Sequence, residues 1–460
     1  MASLADLAAT ALTRTDLLGA ISEEAGRLVR RPLTPAARAG EDLVAAWMTE
    51  AGAVVTRDAV GNVFGRRDGA TGWRPEPNGG RGGRPLRSPV PVEGGGVSLG
   101  AAGRPALVIG SHIDTVRDAG RYDGPLGVVL GIAAMAHVAA REAAGHTELP
   151  FALEVAAFAG EEGVRFSAPF LGSRVATGTL PEAWLDRTDE AGMSLADVIQ
   201  EVGGDVDVWS SARYRPGDVI AYLEPHIEQG PILDLVGEAL GVVPAIVGQA
   251  RLRLGFAGHA NHAGTTPMDA RRDALVGAAA TVVAVEQVAR GTPGLVATVG
   301  EIVIAPGAAN VVPGAATISI DIRHADDEVR RAATDRILGA AHAAAVPRQL
   351  DLAVTVELEV AATPCDAGVT AAISAAASRL GMERLREVTS GAGHDAMVMA
   401  ALAPVGMLFV RSPRGISHHP DEAVVPGDVE AALRVLVSTI DEIAIQVRGG
   451  SFPAPQGVMA

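Results

Sequence analysis

Histidine and carboxylate residues gather in four short stretches of this 460-residue sequence. Ser111-His112-Ile113-Asp114 is followed closely by Asp123-Gly124, and Glu161-Glu162-Gly163 comes next. Further on stand Glu224-Pro225-His226-Ile227-Glu228-Gln229-Gly230 and Gly415-Ile416-Ser417-His418-His419-Pro420. Imidazole and carboxylate donors without thiolate suit Zn2+, Mn2+ or a related divalent ion. His112 and Asp114 are two apart on a strand end and point the same way, so Asp114 is expected to accept the His112 ring N–H. Asp123 sits in a Gly-flanked loop, Tyr-Asp-Gly-Pro-Leu-Gly, where one carboxylate can bridge two cations. Glu161 and Glu162 are neighbours, so one can bind metal while the other faces the water that metal activates. Two ions roughly 3.5–4 Å apart generate hydroxide and polarise a carbonyl, as hydrolysis requires.

A lone histidine is commonly structural, and Asp or Glu after a strand is commonly a cap or a solvated loop residue. The argument against that reading lies in the elements around the clusters. ALVIGSHID (106–114), FALEVAAFAGEE (151–162), VIAYLEPHIEQG (219–230) and VGMLFVRS (405–412) are apolar runs of strand length. Helix-like segments lie at 125–143, 193–202, 394–402 and 428–447. This alternation predicts an α/β fold, a largely parallel sheet sandwiched by helices. In such a sheet, ligands bind beyond the carboxyl ends of the strands, so all the clusters would converge on one crevice. His137, His146 and His342 lie in Ala-rich helical segments or at their ends and are taken as structural.

Residues 249–362 have another rhythm, strand, helix, strand, strand, helix, strand, with the first helix expected over 268–290. That is the order of a ferredoxin-like, split-βαβ unit. It predicts an inserted domain between a first part at 1–248 and a second at 363–460. Here His262 lies in the loop His259-Ala260-Asn261-His262-Ala263-Gly264, and Asn310 precedes Val311-Val312-Pro313-Gly314. In Thr317–Arg323, Ile318, Ile320 and Ile322 share one face and Arg323 takes the other, where it is either a solvated surface residue or a clamp for a carboxylate. The Gly-, Pro- and Arg-rich stretch 66–104 has no periodicity and is read as a mobile surface loop.

Composition narrows the function further. The net charge of −16 makes a nucleic-acid or anionic-membrane partner unfavourable. No apolar run of membrane-spanning length is free of charge, so no transmembrane helix is expected. The single cysteine, Cys365, cannot form an internal disulfide. The first residues lack a basic segment before an apolar core, which argues against a signal peptide and for a cytoplasmic protein. A dinucleotide-binding oxidoreductase would need a Gly-rich turn where this first strand ends in His-Ile-Asp.

In order along the chain, GSHIDTV with YDGPLG, FAGEEGVRF, EPHIEQG, HAGTTPMDARRDA, ANVVPG, DIRH, SGAGHDA and GISHHP resemble the amidase/hydantoinase-carbamoylase branch of the dinuclear-metal, aminoacylase-like (M20-type) peptidases. The resemblance runs from about residue 20 to 445, with the 66–104 stretch as its main departure. It implies His112, Asp123, Glu162, His226 and His418 as ligands of two divalent ions, with Asp123 bridging. Zn2+ or Mn2+ fits these donors, and Co2+ or Ni2+ is compatible. The choice of His418 over His419 rests on register after Gly-Ile-Ser. By the same resemblance Glu161 is the general base, Asp114 orients His112, and His262 stabilises an oxyanion. Gln229, His262, Asn310 and Arg323 would contact substrate, together with the backbone of Gly391, Ala392 and Gly393. The smaller domain would act as a lid and dimerise, lending His262, Asn310 and Arg323 to the partner's site in a homodimer. The expected reaction is hydrolysis of a ureido or amide C–N bond, not a peptide bond, in a small carboxylated substrate. Allantoate is the leading expectation, with N-carbamoyl-L-amino acids or β-ureidopropionate as the alternative. Aminopeptidase and deacylase readings are more remote, because Gln229 of HIEQG and the DIRH arginine resemble the carbamoylase-like branch, and a catalytically silent binding protein would be expected to have lost Glu161 or a ligand.

Overall fold

The computed structural model describes residues 2–68, 104–204, 214–382 and 384–452. The chain divides into two compact units, one made of Met1–Pro244, Cys365–Val388 and His394–Ala460, the other of Ala245–Pro364 and Thr389–Gly393.

In the first unit eight strands form one mixed sheet. Their spatial order is Val54–Arg57, Val63–Arg67, Ala152–Phe158, Ala106–His112, Val219–Ile227, Val405–Val410, Leu240–Val243 and Arg386–Glu387. The central four, from Ala152–Phe158 to Val405–Val410, run parallel. Every residue in them is buried, which explains why they read as continuous apolar runs rather than alternating ones. Helices Leu4–Gly19, Pro35–Glu50, Pro125–Ala143, Ala367–Arg379 and Pro426–Arg448 share one core with Leu107, Ile109, Leu153, Val155 and Leu223 of the sheet. Helices Leu171–Thr177 and Asp395–Met399 pack on the other side, against the same parallel strands.

Helix Pro125–Ala143 is long and apolar enough to cross a membrane by length and composition, although Arg141 and Glu142 interrupt its apolar run. Two-thirds (67%) of its most apolar window is nevertheless buried inside the protein, as the central helix of this core. Its glycines allow that close packing. A Cβ at Gly127 would fall 2.1 Å from the Pro225 carbonyl oxygen of the strand beneath.

The second unit is a four-stranded antiparallel sheet in the order Val296–Ala305, Ala315–His324, Gly248–Ala257, Asp351–Val360. Helices Ala274–Arg290 and Asp327–Ala345 bury one face of it, against Leu252, Leu254, Phe256, Ile318, Ile320 and Ile322. Burial alternates along the strands, as expected for a sheet with one covered face.

Three boundaries differ from the sequence reading. The helix expected from Met268 starts at Ala274, because Asp273 turns back and accepts the Leu275 and Val276 amides as its N-cap. Arg66 and Arg67 belong to a strand, paired with Glu154 and Leu153, so the irregular stretch begins after them. Its residues 69–103 lie outside the described residues. Ser390 exchanges backbone hydrogen bonds with Ala245 and Val247, which carries Thr389–Gly393 into the second unit and out of the 363–460 stretch.

Candidate metal centre

All five ligand candidates occupy the carboxyl end of the parallel strands of the first unit. His112 closes its strand, His226 is one residue from the end of the next, and Glu161-Glu162 follow Phe158 directly after Ala159-Gly160. Asp123 precedes helix Pro125–Ala143, with Gly124 at φ +82° as its N-cap. A Cβ at Gly124 would sit 2.5 Å from the His112 ring, so only glycine lets Asp123 approach this histidine.

Their donor atoms converge. Within three sets, all atoms lie within 4.8 Å of one another, namely His112, Asp123 and His226, then His112, Glu161 and Glu162, then Asp123, Glu162 and His418. His226 Nε2 is 3.2 Å from Asp123 Oδ1, and His112 Nε2 is 3.8 Å from the same oxygen. His418 Nε2 lies 3.2 Å from Asp123 Oδ2 and 3.5 Å from Glu162 Oε1. His419 is instead beside exposed Asp421, and accepts the Asp421 amide at Nδ1.

The hydrogen bonds assign the tautomers. His226 Nδ1 faces the Ile227 carbonyl at 2.9 Å, and His112 Nδ1 faces the Asp114 carbonyl at 3.0 Å. A carbonyl only accepts, so each Nδ1 carries a proton, and Nε2 is the nitrogen that each ring turns towards the centre. Nε2 of both rings lies within 4 Å of Asp123 Oδ1. His226 Nε2 and Asp123 Oδ1 are buried and neither makes a hydrogen bond. Imidazole and carboxylate donors gathered this closely suit a divalent cation. Buried Asp114, Glu161, Glu224 and Asp395 add negative charge around them. Burial pushes the Glu161 carboxyl well above its usual range, His112 opposing and Glu162, Asp395 and Asp114 adding to the shift. Burial, with Asp123 beside it, pushes Glu162 up to about 7. The residues present thus fit divalent metal ions.

Asp114 corrects its expected role. Its carboxylate is 3.6 Å from His112 Nδ1, beyond a hydrogen bond, and the backbone carbonyl of the same residue orients the ring instead. The carboxylate is turned to the next strand end, where it accepts the amides of Gly160, Glu161 and Glu162 at 2.9, 3.0 and 3.2 Å. Beneath this segment lies fully buried Arg30, whose Nε donates to the Ile113 carbonyl and whose amide donates to Thr115. Gln229, expected to contact substrate, donates from Nε2 to Asp123 Oδ2 at 2.8 Å.

The second unit brings its own candidates together. Asn261–His262 pairs with Val311–Val312, and the Ala263 amide donates to the Asn310 carbonyl, so the exposed residues His262 and Asn310 lie close together at one two-stranded ladder. Arg323 Nε donates to Asp321 Oδ1 at 2.7 Å, while an Arg323 terminal nitrogen donates to the Gly391 carbonyl at 2.8 Å. Arg323 and the Gly391-Ala392-Gly393 segment are therefore neighbours within this unit.

Four residues went unassigned in the sequence. Glu224 and His394 complete a further set with His226, all donor atoms within 4.8 Å, and the His394 ring stands edge-on to His226 with centroids 4.5 Å apart. Asp395 accepts from Ser173, and Glu422 from the Tyr122 and Asp123 amides. EPHIEQG and SGAGHDA contained the signal for the first three. Glu422 lay just beyond GISHHP.

Residues 108–442 match the family described as Peptidase family M20/M25/M40. The chain belongs to that family. An allantoate deiminase from Arabidopsis thaliana is 36% identical over 450 residues, covering 92% of this chain and 80% of the relative. An N-carbamoyl-L-amino acid amidohydrolase from Geobacillus stearothermophilus is 35% identical over 428 residues, covering 93% and 96%. Among solved structures, an amidase of the hydantoinase/carbamoylase family from Burkholderia multivorans superposes with a TM-score of 0.81 at 32% identity, covering 95% of this chain and 98% of that one.

Proposed function

We propose that this chain is a metal-dependent amidohydrolase that cleaves a ureido or amide C–N bond of a small carboxylated substrate, with allantoate as the first candidate. The observation that carries the reading is the convergence of His112 Nε2 and His226 Nε2 on Asp123 Oδ1, with Glu161 and Glu162 alongside. His112, Asp123, Glu162, His226 and His418 would hold two divalent ions, Zn2+ or Mn2+ foremost. Such ions supply Lewis acidity and acidify water. Glu161 takes the proton of the attacking water and returns it to the leaving nitrogen; its burial raises its proton affinity. Cleavage of a ureido group releases an amine and carbamate, which falls to ammonia and carbon dioxide.

Gln229, Arg323, Asn310, His262 and the Gly391–Gly393 backbone are the proposed substrate contacts, with Arg323 pairing with a carboxylate and His262 with the oxyanion. The second unit is the proposed lid and dimerisation domain of a cytoplasmic homodimer, giving His262, Asn310 and Arg323 to the partner's site. A second reading, hydrolysis of N-carbamoyl-L-amino acids, is supported by the nearly equal likeness to the Geobacillus stearothermophilus enzyme. A panel of ureido acids, with ammonia release measured in Zn2+ and in Mn2+, separates the two. Turnover of allantoate without N-carbamoyl amino acids supports the first, the converse supports the second, and no ammonia from any ureido acid rejects both.

A further inference from the structure

We propose that Glu422 is a positioning residue that locks the Asp123 and His418 loops to each other, and so sets how tightly the centre holds its cations. The proposal rests on reading Asp123 and His418 as metal ligands. Those two residues lie almost three hundred positions apart, on loops that leave different strands. Glu422 joins them. It is only 4% exposed, and its Oε1 accepts the Tyr122 amide at 2.8 Å and the Asp123 amide at 3.1 Å. Its Oε2 is 3.1 Å from Ser417 Oγ, whose hydroxyl also lies 2.7 Å from Asp123 Oδ2. One side chain thus holds the backbone of the first ligand and the residue preceding the second.

The loop carrying Asp123 is shaped around this contact. A Cβ at Gly120 would fall 2.3 Å from Glu422 Cβ, Cδ and Oε1, so Glu422 lies flat on bare backbone there. His418 lies at the edge of the centre, with Asp123 Oδ2 and Glu162 Oε1 beside its ring. Its side chain is 49% exposed and its backbone takes φ +55°, a conformation that costs a non-glycine residue energy unless its surroundings impose it. The bonds through Ser417 and Glu422 are that imposition.

Hydrogen-bond chemistry supplies the discriminating variants. In Glu422→Gln the carboxamide oxygen can accept both amides while its NH2 donates to Ser417 Oγ, which leaves the hydroxyl proton for Asp123. The lock survives. Glu422→Ala removes it and leaves the Tyr122 and Asp123 amides without their acceptor. Glu422→Asp is a methylene short and cannot span both loops. The full-length protein, stripped by chelator, is titrated with Zn2+ and with Mn2+ in competition with a chromophoric chelator, and its thermal midpoint is recorded before and after loading. Glu422→Ala is expected to bind each ion at least roughly 10-fold more weakly, as for other residues that orient ligands, with Glu422→Gln within threefold of the parent. Should Glu422→Ala fail to fold, Glu422→Asp carries the test with the same expectation. A folded Ala or Asp variant binding like the parent overturns the proposal, as does a Gln variant as weak as Ala. A parent that binds neither ion rejects the metal-ligand reading itself, a different failure from parent and variants all binding equally well.

Discussion

The Glu161 amide donates to Asp114 Oδ1 at 3.0 Å, so the residue two places after one metal-ligand candidate fixes the turn that carries the proposed base. The amides of Gly160 and Glu162 join it on the same carboxylate. Asp114→Ala would release that turn while leaving the Asp114 carbonyl to orient His112. Activity should drop roughly 10–100-fold, the usual cost of losing an outer-shell partner. Steady-state kinetics with metal content measured in parallel would check it. Activity within threefold of the parent would mean the turn holds itself.

Glu161→Gln tests the base directly. The carboxamide keeps the shape but cannot take a proton from water, so both metals should remain while kcat falls at least about 10²-fold. Elemental analysis of the purified variant, beside its kcat, decides. Turnover within a few-fold of the parent would remove Glu161 from the mechanism.

The chemistry of the site was legible because metal binding restricts residue types, and the strands place those types at fixed points. His112, Glu162, His226 and His418 each lie in or just after an apolar run, so the α/β reading and the candidate clusters came from one pattern, while the choice of ligands within the clusters came from the family resemblance. What stayed hidden depends on distant pairing. Glu422 matters through amides some three hundred residues earlier, and the Asp114 carboxylate through amides 46 to 48 residues later. Local spacing suggested that Asp114 faced His112, and only the approach of the neighbouring strand end redirected it. The start of helix Ala274–Arg290 was misplaced for a smaller reason, a cap at Asp273 hidden among charged residues.

Removal of metal should abolish activity without unfolding the protein. The ligand candidates sit on ends of strands that are buried throughout, so the sheet does not depend on cations to form. After dialysis against a chelator, circular dichroism should be unchanged, and one divalent ion should restore turnover without refolding. Full activity in a preparation verified as metal-free would defeat the metal reading.

Glu41 predicts a pH effect away from the site. Burial pushes its carboxyl up to about 7, against the pull of Arg57 and Arg38. A folded value above the unfolded 4.5 means the folded protein binds the extra proton, so this contribution to stability is full below about pH 4.5 and is lost as pH rises through 7. At about 1.4 kcal/mol per unit, the loss across that window is on the order of 3–4 kcal/mol. Glu41→Gln removes the titration. Denaturant midpoints at pH 5 and pH 8 should therefore fall less in the variant than in the parent. Parallel falls would exclude Glu41 as their source.

The last prediction concerns Arg323. Its guanidinium is held by Asp321 and by the Gly391 carbonyl on the polar face of its strand, away from the core residues Ile318, Ile320 and Ile322. A partly exposed pair of this kind adds little to folding, so Arg323→Ala should leave stability nearly unchanged. If it clamps a substrate carboxylate, its loss should cost on the order of 2–5 kcal/mol of transition-state binding. The proposed homodimer places that clamp in the partner's site. Inactive Glu161→Gln subunits mixed with inactive Arg323→Ala subunits then form heterodimers in which one site draws its base and its arginine from intact chains. With random exchange about half the dimers are mixed and each has one sound site of two, so about a quarter of parental activity should return. Ammonia release before and after mixing measures it, with subunit exchange verified by differently tagged chains. Proven exchange without recovery would mean that Arg323 serves its own chain or no site at all.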